Sequence, residues 1–415
     1  MDPDKVVSIL ATTLYIIENE KLSTRRAFRE ACRIHKCRIQ LTMREELYEL
    51  VRSFISRYYT LKYIVLSSGR RPSYRLLARL FLYIYHNEGG LNPRSIVEKT
   101  SLSNLPEVIE SLEFAELHVK YSLPEWFYKR LALLLPRSDL VNLLSSMDKR
   151  VLWLRINTLK VDVDKALKNL EKWARVEVDP DIPYLVKVLA SKRPIRSLDL
   201  VKNGEVIPQD KASVLAVEAL KPDPGSVVYD FAAAPGIKSS LIMQLTENKA
   251  RIVAIDNSPR RLWKTTYLLK HYGVDLSRVE IVLGDSGYIN LRGRGDYGLI
   301  DAPCSSSGSI SKDPAIKIFL RDMSLVYKMK QLQLGILYNA LKHVENAVYT
   351  TCSLLPEEGE EVVNEVLDMG VEHHPVEPSI RASTGYSIYR YWDRVKRTFP
   401  HIHECEGFFI SRLER

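Results

Sequence analysis

The 415-residue chain has no apolar run close to the roughly 18 to 20 residues that cross a bilayer as a helix. Its opening residues, Met1-Asp2-Pro3-Asp4, lack the basic-then-apolar profile of a secretion leader. Cysteine is scarce and odd in number, at positions 32, 37, 304, 352 and 405. That argues against a disulfide framework and for reduced thiols. Glutamine occurs only at 40, 209, 244, 331 and 333, a scarcity of thermolabile amides that fits a heat-adapted host. With 46% hydrophobic and 27% charged residues, the chain has the balance of a globular protein with a core, not of a disordered or collagen-like one. The expectation is a soluble cytoplasmic protein of two or three domains, without membrane attachment and monomeric.

The formal charge is +9, unevenly placed. Residues 21–80 carry 15 Lys/Arg against 4 Asp/Glu, which leaves the remainder near neutral. Such a module fits a polyanion-binding surface, and equally a solvated helix face whose acidic partners lie elsewhere.

Apolar residues recur at helical spacing in Val6–Ile17, Leu47–Ile55, Tyr74–Tyr85 and Val108–Leu117, with turn signals at Glu88-Gly89-Gly90 and Asn92-Pro93. Residues 1–120 therefore read as an all-α domain. Residues 121–222 read as a small α+β module, with a strand in Val151–Asn157 and a helix in Lys165–Trp173. Beyond the Lys221–Gly225 linker, residues 223–415 alternate strand and helix. The apolar runs Val227–Tyr229, Ile252–Ile255, Ile281–Leu283, Tyr297–Ile300 and Ala347–Thr350 predict a doubly wound α/β, Rossmann-like sheet. Ligands of such sheets bind past the carboxyl ends of the strands.

Chemistry collects at those ends. After the first run comes Asp230-Phe231-Ala232-Ala233-Ala234-Pro235-Gly236-Ile237-Lys238, small residues that let a ligand approach the backbone. The stretch lacks the G-x-G-x-x-G of pyrophosphate-binding loops, which disfavours a nicotinamide dehydrogenase. Asp256 follows the second run, where a carboxylate can accept both hydroxyls of a ribose. Asp285 follows the third and Asp301 the fourth. One such aspartate is often only a helix cap, but four at successive strand ends form a nucleoside-binding rim. Cys304 and Cys352 follow the fourth and fifth runs, so two thiols 48 positions apart converge on one rim with a carboxylate. A buried cysteine is usually a small apolar residue; the placement of these two favours chemistry. A thiolate adding to carbon-6 of cytosine makes carbon-5 nucleophilic towards S-adenosylmethionine, and a carboxyl beside N3 stabilises the charge produced.

On these residues the chain resembles the Sun/Nop-type RNA cytosine-5 methyltransferases, in the branch with an N-terminal NusB-like domain. The likeness runs through Trp153–Lys160 (Leu-Arg-Ile-Asn-Thr-Leu-Lys), Gly204–Ser213 with its Gln209-Asp210, the Ala-Ala-Pro-Gly loop, Asp301-Ala302-Pro303-Cys304, and Thr351-Cys352-Ser353 followed by Pro356-Glu357-Glu358. It ends at Pro400-His401 and Glu406-Gly407-Phe408-Phe409-Ile410. The resemblance implies that Cys352 is the nucleophile, that Cys304 assists release of the product and that Asp301 contacts the cytosine around N3. It implies that Ala232, Ala233, Ala234, Pro235, Gly236, Ile237 and Lys238 line S-adenosylmethionine, with Asp256 on the ribose and Asp285 near the adenine; Asp301 borders the same pocket. Spacing alone does not choose between the thiols. The chain departs from the family pattern at Ala232 (usually Cys), Ile237 and Ser306 (usually Gly) and Gly359 (usually Asn). The implied substrate is rRNA, with tRNA as the alternative; from another class, a non-catalytic RNA-binding assembly factor would not need both thiols. No metal is expected: Cys32-x-x-His35-x-Cys37 lacks a fourth ligand, and His401-Ile402-His403-Glu404-Cys405 sits beside a structural motif.

Overall fold

The computed structural model describes residues 2–37, 40–85, 109–110, 112–113 and 115–415. The turn signals at Glu88-Gly89-Gly90 and Asn92-Pro93, and part of the Val108–Leu117 run, lie outside them. The chain divides into two compact units, one of residues 1–149 with 309–325, the other of 150–308 with 326–415.

The first unit is helical among its described residues. Its longer helices are Pro3–Glu20, Thr24–Ile34, Leu41–Ser56, Tyr58–Ser67 and Tyr74–Tyr85, and the shorter Glu125–Ala132 and Arg137–Ser146 continue the pattern. Asp2 caps the first helix by accepting the Asp4 amide. Ile9, Leu10, Leu14, Val51, Phe54 and Phe81 form its core, with Ala315 and Ile318 packed among them. Residues 309–325 are thus part of this unit, although the chain on either side belongs to the other. Fully buried Lys317 donates to Ser56 O, Tyr121 O and Asp148 Oδ2 (3.0, 3.1 and 2.8 Å), and burial holds its ammonium below the ordinary lysine range. Asp313 accepts the Thr24 amide, the Arg52 guanidinium donates to Ser311 O and Lys312 O, and the Trp126 indole to Leu320 O. A helical domain ending at 120 therefore falls short of the observed unit. Helices beyond that point keep packing on it, and a later segment supplies apolar residues to its core.

The second unit contains two sheets. In the smaller, β1 (Leu152–Ile156), β2 (Ala174–Val178), β3 (Leu185–Ser191) and β4 (Val206–Pro208) run antiparallel in the order β2-β3-β1-β4. The larger holds β5 (Val227–Asp230), β6 (Arg251–Asp256), β7 (Val279–Leu283), β8 (Gly295–Asp301), β9 (Val344–Thr351), β10 (His374–Val376), β11 (Ser383–Thr384), β12 (Val395–Arg397) and β13 (Phe409–Glu414). Its parallel part runs β7-β6-β5-β8-β9, and β13 pairs antiparallel with β9. All five predicted runs are strands. The order reverses at β5, which places the topological switch point beside the loop at 231–236. Helices Lys211–Leu220 and Ile237–Leu245 contribute Leu215, Leu241 and Ile242 to a core against Val228, Ala254 and Leu299. A second core joins Leu337, Ala340 and Val363 to Tyr229, Ile255 and Ile300. Both faces of the parallel strands are covered, which is why they read as continuous apolar runs.

The Leu-Arg-Ile-Asn stretch is scaffolding. Arg155 is fully buried and donates to Gln244 Oε1 and Ser240 Oγ (2.5 and 2.7 Å), bracing the helix that follows the 231–236 loop. Asn157 Nδ2 donates to Gly204 O and Tyr272 O, both at 2.8 Å.

Candidate active site

Asp230 ends β5 and is buried. Its carboxylate accepts Ser239 Oγ at 2.6 Å and the Ala232 amide at 3.3 Å, and desolvation pushes it up to about 6. The loop after it lies across the strand ends: the Phe231 amide donates to Leu299 O and the Ala233 amide to Ile255 O. Gly236 closes the loop at φ +96°, and a Cβ there would stand 3.0 Å from Thr265 Cγ2. Ile237 is already the first residue of the helix, so the second glycine of the family pattern is not required by this backbone. Lys238 does not stay with that loop. Its ammonium reaches Asp301 Oδ2 at 2.5 Å.

Asp256 ends β6, also buried. Its Oδ1 accepts the Ser258 amide at 3.0 Å, and its Oδ2 meets Arg261 Nη2 at 3.1 Å; the same nitrogen donates to Ala234 O. Asp285 is exposed and accepts the Gly287 amide at 2.9 Å, so it closes a turn as well as standing on the rim.

Asp301 ends β8, level with Thr350 of β9. The two thiols follow, Cys304 Sγ lying 2.9 Å from Cys352 Sγ. Ser306 stands beside them, its Oγ 3.4 Å from Cys352 Sγ and 4.0 Å from Cys304 Sγ. The pair is asymmetric. Hydrogen bonding from the Cys304 thiol, and then from Ser306, holds Cys352 below the ordinary thiol range; the same partner and burial push Cys304 well above it. The asymmetry makes Cys352 the more acidic of the two thiols. Ser306 has φ +59°, the left-handed region, which explains why glycine is usual there.

Glu358, in the Pro-Glu-Glu segment, ties the two cysteine loops together. Its buried carboxylate accepts the Ser305 amide (2.7 Å) and hydroxyl (2.5 Å), Ser353 Oγ (2.6 Å) and Gln333 Nε2 (3.1 Å), while burial raises it above the ordinary carboxylate range. Arg397 braces the Cys352 loop from beneath. It is fully buried, donates to Ser353 O and Leu355 O, and pairs with Glu360, with Nε 2.8 Å from Oε1. Gly308 donates to Cys352 O, and its own carbonyl accepts the Gly407 amide; a Cβ on Gly308 would stand 1.8 Å from Gly407 O. Sequence reasoning named Glu358 and Gly407 only as pieces of motifs and did not name Arg397 or Glu360. The one signal it had was the position of Pro-Glu-Glu just after Thr-Cys-Ser.

Among the described residues no group of three or more His, Cys, Asp or Glu is placed to hold a metal ion. His35 shares a hydrogen bond with Thr12, and His403 Nδ1 accepts the Phe399 amide.

A parallel sheet of this order, with small-residue loop, acidic rim and switch point in register, defines a Rossmann-like methyltransferase. The solved structure of the protein designated PH0851 superposes at a TM-score of 0.79 with 25% identity, covering 100% of this chain and 99% of that one. Residues 217–414 match the family model described as 16S rRNA methyltransferase RsmB/F. Ribosomal RNA small subunit methyltransferase B of Klebsiella pneumoniae is 30% identical over 309 residues, covering 72% of this chain and 68% of the relative. The 26S rRNA (cytosine-C(5))-methyltransferase nsun-5 of Caenorhabditis elegans is 31% identical over 297 residues, covering 63% of this chain and 66% of the relative. The chain thus spans about two thirds of the length of these curated relatives. It belongs to the RsmB/F family of 16S rRNA methyltransferases.

Proposed function

We propose that this protein methylates carbon-5 of a cytosine in ribosomal RNA, with S-adenosylmethionine as donor. The observation that carries the reading is the 2.9 Å thiol pair at the rim, with Asp301 at the end of the adjoining strand.

S-adenosylmethionine, when bound, supplies an electrophilic methyl group on a sulfonium. The residues fit it: the small residues Ala232–Gly236 carry the loop across the strand ends, and Asp256 presents a buried carboxylate at the next strand end. Ala232–Lys238 would line the pocket, Asp256 would accept the ribose hydroxyls and Asp285 would stand near the adenine. Arg261 Nη2, 3.1 Å from Asp256 Oδ2, holds that carboxylate in place.

Cys352 adds through its thiolate to carbon-6 of the cytosine, and the ring's electrons move to carbon-5. The Asp301–Lys238 pair contacts the base around N3 and supplies the proton that neutralises the charge of addition. After carbon-5 takes the methyl group its proton passes to water, and the C6–S bond breaks, which restores the ring double bond and returns Cys352 as thiolate. Once Cys352 is bonded to carbon, Cys304 no longer donates to it and is free to assist that release. The helical unit is read as a NusB-like domain whose basic residues in 21–80 bind RNA phosphates, giving strongly salt-dependent affinity. The enzyme works as a monomer in the cytoplasm. Among the described residues, no helix is long and apolar enough to cross a membrane.

Cys352→Ala abolishes turnover, whereas Cys304→Ala leaves a protein–RNA adduct that survives denaturing electrophoresis. A fully active Cys304→Ala enzyme that traps no RNA refutes these roles. Bisulfite sequencing of rRNA and tRNA from a strain lacking the protein identifies the substrate.

A further inference from the structure

Helix Pro259–His271 begins three residues after Asp256 and buries Leu262, Thr265 and Leu269 on its inner face. Its outer face is unusual. Trp263 is 74% exposed and Tyr267 59%, where large aromatics are ordinarily covered. Both rings are ordered against their neighbours. Trp263 stacks on Tyr267 at 6.2 Å with 12° between planes, and Tyr267 on His271 at 6.2 Å with 1°. The three rings recur every four residues, so they form one parallel ladder roughly 12 Å long.

Charge narrows the partner. The helix has no Asp or Glu, and exposed Arg260, Lys264 and Lys270 flank the ladder with no ion pair among the described residues. Arg261 is the exception, committed to Asp256 and Ala234 O. Planar rings edged by uncompensated cations are complementary to bases edged by phosphates. A protein partner would require acidic side chains to match every cation. The helix is also anchored: Lys160 Nζ and Asn157 Nδ2 donate to the carbonyls of His271 and Tyr272, so the ladder is presented on a rigid support.

We propose that Trp263, Tyr267 and His271 form a stacking platform for unpaired bases of the substrate RNA, with Arg260, Lys264 and Lys270 on its phosphates. This rests on the reading of the protein as an RNA methyltransferase and adds where single-stranded substrate lies. Stacking is sequence-tolerant, so the platform supplies affinity and leaves selection of the target to other contacts.

The test is the binding of the full chain to a fluorescein-labelled single-stranded RNA of mixed sequence, followed by anisotropy. Removing stacking on one base costs about 5- to 100-fold in affinity. Trp263→Ala with Tyr267→Ala therefore weakens RNA binding by at least about tenfold and leaves the affinity for S-adenosylhomocysteine unchanged. Trp263→Phe retains most of the RNA affinity but loses much of the RNA-induced quenching of tryptophan fluorescence. Lys264→Glu lowers the slope of log affinity against log salt by about one. RNA affinity within twofold of the parent in the double variant overturns the proposal and leaves the face to a protein partner. Failure of the methyltransferase reading registers elsewhere, as no adduct from Cys304→Ala.

Discussion

Ser306→Gly separates two effects that this position combines. A left-handed backbone costs an ordinary L-residue about 1 to 2 kcal/mol, and glycine returns about 0.5 to 1 of that as unfolded-state entropy. The substitution therefore stabilises the second unit by about 0.5 to 1 kcal/mol, a rise of about 1 to 3 °C in melting temperature for a unit of this size. It also removes the hydroxyl 3.4 Å from Cys352 Sγ. A hydrogen bond to an anion at that length is worth about 1 kcal/mol, so the thiolate population at neutral pH falls about fivefold. The assay pairs differential scanning calorimetry with iodoacetamide alkylation of Cys352 followed by mass spectrometry at several pH values. Cys304→Ala gives the larger loss of reactivity, because the Cys304 thiol is the stronger donor to Cys352. If Ser306→Gly leaves alkylation at pH 7 unchanged or faster, the assignment of the hydroxyl to the thiolate is wrong.

Three further outcomes follow from the buried groups around the site. Arg397→Ala strands Glu360 in the interior and deprives Ser353 O and Leu355 O of donors; chemical denaturation registers a loss of about 3 to 5 kcal/mol, and activity falls with it. Gly308→Ala cannot be accommodated against Gly407 O, so soluble yield collapses or methyl transfer is lost with the cofactor still binding in calorimetry. Asp230, folded at about 6 against an ordinary 3.8, binds more protons folded than unfolded. Its contribution to stability is complete below about 3.8 and lost as pH rises through 6, by about 3 kcal/mol at most. Asp230→Asn accordingly melts higher than the parent at pH 8, about half of the difference remains at pH 5, and it closes below about pH 3.8.

The strands bearing the motifs were legible because a parallel sheet covered on both faces demands unbroken β-branched and apolar runs, and β5 to β9 supply them. Asp230, Asp256, Asp301 and both thiols then followed from the rule that such sheets do chemistry at their carboxyl ends. What tertiary contact alone decides was not legible. Lys238 belongs by position to the 231–236 loop, yet its ammonium sits on Asp301, because the helix starting at Ile237 turns that side chain across the rim. Arg155 and Asn157 entered only as part of a stretch resembling the family's, and in the fold they are struts. Arg397 and Glu360, 37 positions apart, carry no periodic signal that announces a fully buried ion pair. Segment 309–325 reads locally as a polar loop and a short helix, and only the company kept by Ala315, Lys317 and Ile318 assigns it to the helical unit.

That segment governs the order in which the newborn chain can mature. The helical unit begins at the N-terminus, yet Ala315 and Ile318 belong to its core and the intervening 150–308 must be made first. At about 5 to 20 residues per second, translation from 149 to 325 takes roughly 10 to 35 s. Over that interval the first helices wait on the ribosome with an unfilled seat and without the later carbonyls that accept from the Trp126 indole and the Arg52 guanidinium. A fragment stopped at residue 149 inherits the same vacancy permanently. Synthesis thus finishes the leading module only when the chain has already passed Cys304.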